Sequence, residues 1–191
     1  MSTQKILIAP HPTLRQKAKE VLSVDKKMIE HFDALHDTLL AARNPRGVGL
    51  AQPQIDHLWR GFATYLETSL QDDPIYRVFI NPKIIDRSDK LVTGVNPRSP
   101  DLEGCLSIPH LYGPVLRHEW TTFTFQTLDR NNELSDWHTE TFYDFAARVM
   151  QHELDHLDGI LFTDHILEQG QPLYQQMGEE LVEVEPELGK D

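Results

Sequence analysis

The chain has 191 residues, a formal net charge of −12 and a single cysteine, with 39% hydrophobic and 25% charged residues. That composition describes one soluble globular domain with a sizeable core. It excludes an intrachain disulfide, a membrane span of about 18 apolar residues, and diffuse attraction to nucleic acid or anionic membrane. Met1 to Pro10 carries one Lys and a four-residue apolar run, Ile6 to Ala9, too short for a secretory signal, so a cytoplasmic location is expected.

Residues 11–22 place Leu14, Ala18 and Val21 at helical spacing and predict a short helix. Residues 25–43 predict a stronger one, with Met28, Phe32, Leu35, Leu39 and Leu40 on one face, stopped by Asn44-Pro45-Arg46-Gly47. Gly47 to Gln54 holds two glycines and a proline and reads as a constrained loop. Residues 58–66 and 76–85 read as strands around a turn at Gln71-Asp72-Asp73-Pro74, and Asp86 to Pro100 as a loop. Val115 to Leu128, rich in Thr and Phe, and Ser135 to Phe142 read as further strands. Residues 144–158 are helical, with Gly159 as the C-terminal cap. The acidic tail, residues 166–191, holds a short helix near 172–184 in this reading; residues 1–165 form the catalytic domain. Strands and helices do not alternate regularly, so the fold class is α+β.

His152-Glu153-Leu154-Asp155-His156 carries the strongest chemical signal. Residues four apart lie roughly 40° apart around a helix and about 6 Å along it, so two imidazoles converge on one cation. Glu153 is then within reach of a water bound there. Phe145, Val149, His152 and His156 fall at i, i+4, i+7 and i+11, which puts the histidines on the buried stripe. A metzincin protease would need a histidine six residues past the second one; Phe162 stands there. The third ligand stays open between a downstream glutamate (Glu168, Glu179 or Glu180), as in a metalloprotease, and Cys105. A non-catalytic metal site is the other alternative.

Three segments in order decide the resemblance. Gly47-Val48-Gly49-Leu50-Ala51-Gln52-Pro53-Gln54, Glu103-Gly104-Cys105-Leu106-Ser107 and Gln151-His152-Glu153-Leu154-Asp155-His156 resemble the three motifs of peptide deformylases. Asn81-Pro82, Arg117 and Ala146-Ala147-Arg148-Val149 extend the likeness, which runs from about Pro10 to Asp164. It implies small antiparallel sheets around a central metal-binding helix, and removal of the formyl group from formyl-methionyl nascent peptides. It implies one divalent metal on Cys105, His152 and His156, ferrous iron (Fe2+) natively, with zinc (Zn2+) or nickel (Ni2+) accepted. The metal would lower the pKa of a bound water, and Glu153 would take the proton and pass it to the leaving amine. Gln54 and the backbone N–H of Leu106 would stabilise the oxyanion. Val48 and Gly49 would meet the peptide as an added strand, and Phe145 and Val149 would line the methionine pocket. Glu103 would order the cysteine loop through hydrogen bonds, and Arg117 would form a structural salt bridge.

Two positions depart from the family pattern. Gln52 replaces a small residue, either repacking the loop from behind or pointing to solvent. Tyr112 replaces an arginine that many bacterial members carry. The Glu179, Glu180, Glu183, Glu185 and Glu187 cluster is unsuited to binding ribosomal RNA, so ribosome contact through the tail is not expected.

Overall fold

A computed structural model describes residues 3–68, 71–94, 96 and 100–185. In chain order it contains helix α1 (Lys26–Ala41), strands β1 (Gly49–Ala51), β2 (Gly61–Thr68), β3 (Gln71–Arg87), β4 (Leu91–Val92), β5 (Glu103–Cys105), β6 (Ile108–Gly113), β7 (Arg117–His118), β8 (Trp120–Gln126) and β9 (His138–Tyr143), helices α2 (Asp144–Leu157) and α3 (Phe162–Gln169), and strands β10 (Leu173–Met177) and β11 (Glu180–Val184). The class is α+β: all named strand pairs are antiparallel. One sheet runs β1-β2-β3-β8-β9, a second β11-β10-β6-β5, and β4 pairs with β7 alone.

The large sheet buries α2. Along β8 burial alternates, putting Thr121, Phe123 and Phe125 inward. Those rings join Phe62, Phe79 and Phe142 beneath Ala147, Met150 and Leu157 of α2. Each such phenylalanine stabilises the fold by about 1.5–3 kcal/mol through burial alone. α1 covers the neighbouring region through Met28, Phe32, Leu35 and Leu39, which meet Leu50, Ile55, Ala63 and Ile80. Its N-terminus is capped by the Asp25 side chain, which accepts from Met28 N at 2.8 Å.

Several expectations need correction. Residues 11–22 form only a 3-10 turn, Pro12–Arg15, followed by extended chain. There the backbone bonds to distant partners: Ala18 N to Leu157 O, Lys19 N to Leu58 O, and Val21 N to the Asn81 side chain. Leu14, Ala18 and Val21 are buried, as their spacing suggested, but without a helix. Gln71-Asp72-Asp73-Pro74 belongs to β3 rather than to a turn; Thr68 pairs with Gln71 and Leu66 with Ile75. The loop at 47–54 contains β1 and a 3-10 turn, Gln52–Ile55.

The helix expected near 172–184 is a hairpin, β10–β11, added to the second sheet through Tyr174–Tyr112 and Gln175–Leu111 pairing. Gly178, with φ of +67°, turns the chain between the paired Met177 and Glu180. A two-residue hairpin loop demands that left-handed backbone. Glu187 lies outside the described residues.

The core makes a direct prediction. Phe123→Ala, at a fully buried ring packed edge-on to Phe142, should lower unfolding stability by about 3–5 kcal/mol in urea titrations.

Candidate active site

The edges of two sheets and one helix meet at a cavity of about 270 Å³. β1 ends the large sheet and β5 ends the second. Gly49 of β1, Glu103, Gly104 and Cys105 of β5, and Val149, His152 and Glu153 of α2 all line it.

Cys105, His152 and His156 each offer one ligand atom, and the three atoms lie within 4.8 Å of one another. Cys105 Sγ is 3.2 Å from His156 Nε2. The i, i+4 spacing on α2 sets the two rings 5.0 Å apart. The cysteine comes from β5, held over α2 by the sheet. Burial works against the Cys105 thiolate, but the neighbouring His156 and His152 outweigh it and hold the thiol at about 5. A soft thiolate with two imidazoles suits ferrous iron, zinc or nickel. Among the described residues the cluster could offer a cation three ligand atoms, as open catalytic sites do. The downstream glutamates are not in this cluster. His165, a conceivable fourth ligand, instead faces Asp155 at 2.9 Å.

Glu153 is buried beside the cluster, and its Oε2 has no hydrogen-bond partner among the described residues. Burial pushes its carboxyl up to about 7, against the pull of His152 and His156. A buried carboxylate oxygen left unbonded is costly, and a water on an adjacent cation would satisfy it. Gly49 makes the room. A Cβ there would sit 2.2 Å from Glu153 Oε1. That glycine is therefore dictated by the carboxylate behind it, beyond any need for a peptide to approach.

Gln54 points its amide into the same corner. Its Oε1 accepts from Ala51 N at 2.8 Å, which fixes the flip. Its Nε2 then donates to Ser107 Oγ at 3.1 Å and faces Cys105 Sγ at 3.6 Å. Leu106 lines the cavity next to Cys105. Val48 lies at the cavity and its carbonyl accepts from Tyr65 N at 2.8 Å. Phe145 departs from the expected buried stripe: it is 49% exposed, at the cavity rim, while Val149 is buried. The stripe ends at an open cavity instead of at the core.

Glu103 anchors the cluster from behind. Its buried carboxylate takes Arg117 at 2.9 Å and Arg148 at 2.7 Å, and Oε2 lies 3.2 Å from His152 Nδ1. Burial alone would raise this carboxyl; Arg117 and His152 hold it well below the ordinary range. Burial likewise opposes the His152 imidazolium, but Cys105 and Glu103 keep it well above its usual value. Arg117 also bonds Asp155, which pairs with His165.

Arg148, Asp155 and Ser107 were missed as site residues. Arg148 had a readable signal: it stands one helical turn before His152 on α2. Gln52 is fully buried, which rules out the solvent-facing alternative.

A Cys/His/His cluster that could hold a metal, with a buried carboxylate beside it and two strand edges that pair with no further strand among the described residues, fits a metal-dependent hydrolase site. The family model for polypeptide deformylase matches residues 3–171. A peptide deformylase from Pseudothermotoga lettingae is 38% identical over 163 residues, covering 85% of this chain and 82% of the relative. Peptide deformylase 2 of Vibrio cholerae is 38% identical over 177 residues, covering 93% and 92%. Among solved structures, a probable peptide deformylase from Synechococcus phage S-SSM7 superposes with TM-score 0.71 at 34% identity, covering 85% of this chain and 99% of that one. A class I type b peptide deformylase from Acinetobacter baumannii, solved with Met-Ala-Ser bound, gives TM-score 0.71 at 30% identity, covering 87% and 100%. The chain belongs to the polypeptide deformylase family, metal-dependent hydrolases that remove the N-formyl group from nascent peptides.

Two substitutions test this geometry. Gly49→Ala should displace Glu153 and cut deformylation by about 100-fold or more, while circular dichroism shows the fold retained. Glu103→Ala should leave Arg117 and Arg148 without their shared carboxylate, lowering stability by about 3–5 kcal/mol in urea unfolding.

Proposed function

We propose that this chain acts on N-formyl-methionyl peptides with Cys105, His152 and His156 holding one divalent cation, ferrous iron in a reducing cytoplasm. The observation that carries the reading is the convergence of those three ligand atoms beside the unbonded, buried oxygen of Glu153. Zinc and nickel suit the same donors.

When bound, the cation supplies Lewis acidity, making a water nucleophilic near neutral pH and polarising a carbonyl. Glu153 moves the protons. Its carboxylate takes one from the attacking water and delivers it to the departing amine, so the formyl C–N bond breaks and formate and a free amino terminus leave. Gln54 Nε2, aimed by the Ala51 N–H bond at its other end, donates to the oxygen that gains charge, with Leu106 N–H as the second donor. Glu103 fixes the His152 ring through Nδ1, with Arg117 and Arg148 holding the carboxylate in place.

The edges of β1 and β5, which pair with no further strand among the described residues, suit an extended peptide lying between them as an added strand, with Val48 and Gly49 along one side. Val149 forms the wall of the methionine pocket and Phe145 its rim. The Met-Ala-Ser bound to the Acinetobacter baumannii relative supports a methionyl peptide in this groove. Formyl is the smallest acyl group, so a closed corner around Gln54 and Cys105 rejects larger ones by sterics. The exposed Glu179, Glu180, Glu183 and Glu185 repel polyphosphate, and we assign the hairpin no contact with ribosomal RNA.

Formate release from a formyl-methionyl peptide tests the proposal. Activity should vanish on metal removal by a chelator and return with nickel or ferrous iron. Glu153→Ala should lower kcat by about 10²–10⁴-fold, and an acetyl-methionyl peptide should be inert. Cleavage that persists without metal, or equal turnover of the acetyl peptide, would sink it.

A further inference from the structure

Behind the turn that presents Gln54, two imidazoles stack face to face. His31 on α1 and His57, just past the turn, have centroids 3.7 Å apart and planes 9° from parallel. His31 Nδ1 and His57 Nε2 are both buried with no hydrogen-bond partner among the described residues, and so is Gln52 Oε1. The Gln52 amide meets the His31 carbonyl at 3.5 Å. The chemistry described above uses none of these three residues.

We propose that the His31–His57 stack is an acid-sensitive latch that ties the Gln52–Ile55 turn, and with it Gln54, to α1. The consequence for Gln54 rests on the catalytic reading given above; the latch does not.

A neutral imidazole leaves its unpartnered nitrogen as an acceptor or a lone donor, and a stack of two neutral rings carries no charge conflict. Protonation puts an N–H cation where no acceptor is bonded, at the cost of an unsatisfied buried donor. Protonating both rings sets two positive charges face to face in a half-buried corner, where water screens them poorly. Burial is the main influence and pushes both imidazoles below their ordinary value. The groups around them are few. On α1 and its cap, Lys27 adds to the shift, while Asp25 and Glu30 oppose it at His31. From the turn, Asp56 opposes it at His57, and His31 itself adds to it there.

The sign follows. With both folded values depressed, the unfolded chain takes up protons first as pH falls. The latch's contribution is complete above about pH 6.5 and declines as pH drops below it toward the folded values. The folded rings stay neutral until pH reaches those depressed values, and there the turn loses its tie to α1 and Gln54 its fixed backing.

Urea unfolding of the nickel-loaded full chain at about pH 8 and about pH 5.5 provides the test, on wild type, His31→Phe, His57→Phe and the double variant. Phenylalanine keeps an aromatic stack without titrating. The acid-induced drop in midpoint should shrink in each single variant, which keeps one buried titrating ring, and shrink further in the double, which keeps none. An equal drop in all four proteins overturns the latch. An NMR titration of the wild-type imidazoles gives a second reading that needs no variant. Both rings titrating below the ordinary histidine value supports the latch, and either one at or above it overturns it. Gln54→Ala separates the two ideas: full deformylase activity in that variant ends the catalytic role of Gln54, while the unfolding comparison still decides the latch.

Discussion

The site depends on one buried carboxylate. Glu103 projects from the edge strand β5 and is neutralised by Arg117 of β7 and Arg148 of α2. Its second oxygen faces His152. A buried acid without these partners would cost several kcal/mol, so the three elements hold one another in place. Cys105 lies two residues along the same strand. The interaction that orients a histidine therefore also sets the distance between that histidine and the thiol.

Around this anchor, the two sheets do different work. The large sheet supplies the hydrophobic bed, with Phe62, Phe79, Phe123, Phe125 and Phe142 clamping α2 by its apolar stripe. The second sheet delivers chemistry at its β5 edge, which pairs with no further strand among the described residues. Strand edges invite pairing with other chains, and here the outer edges of β1 and β5 border the same cavity. What would be a liability elsewhere suits a peptide-binding groove. Gly49 shows how tight the arrangement is, since even a methyl group on β1 would collide with Glu153.

The turn that carries Gln54 illustrates a different economy. Gln54 is aimed from one side by Ala51 N, and the turn is backed on the other by Gln52 and the stacked histidines. Gln52, one of the two departures noted in the sequence, is fully buried, and its amide meets the His31 carbonyl.

Much of the molecule was legible from the chain alone. Periodic apolar spacing located α1 and α2, because a helix must bury one stripe; β-branched and aromatic alternation located β8 and β9. The His-Glu-x-x-His spacing determined that two imidazoles share one helix face, since that depends on local geometry only. The rest was decided by partners distant in sequence. Residues 17–22 are extended because Leu157, Leu58 and Asn81 take up their backbone groups. The C-terminal segment is a hairpin because β6 offers it an edge and Gly178 allows the turn. The pairing of Arg148 with Glu103, 45 residues apart, and the stack of His31 on His57 likewise have no local signature. Local spacing settles which side chains share an element's face, but only the packing of elements settles which faces meet.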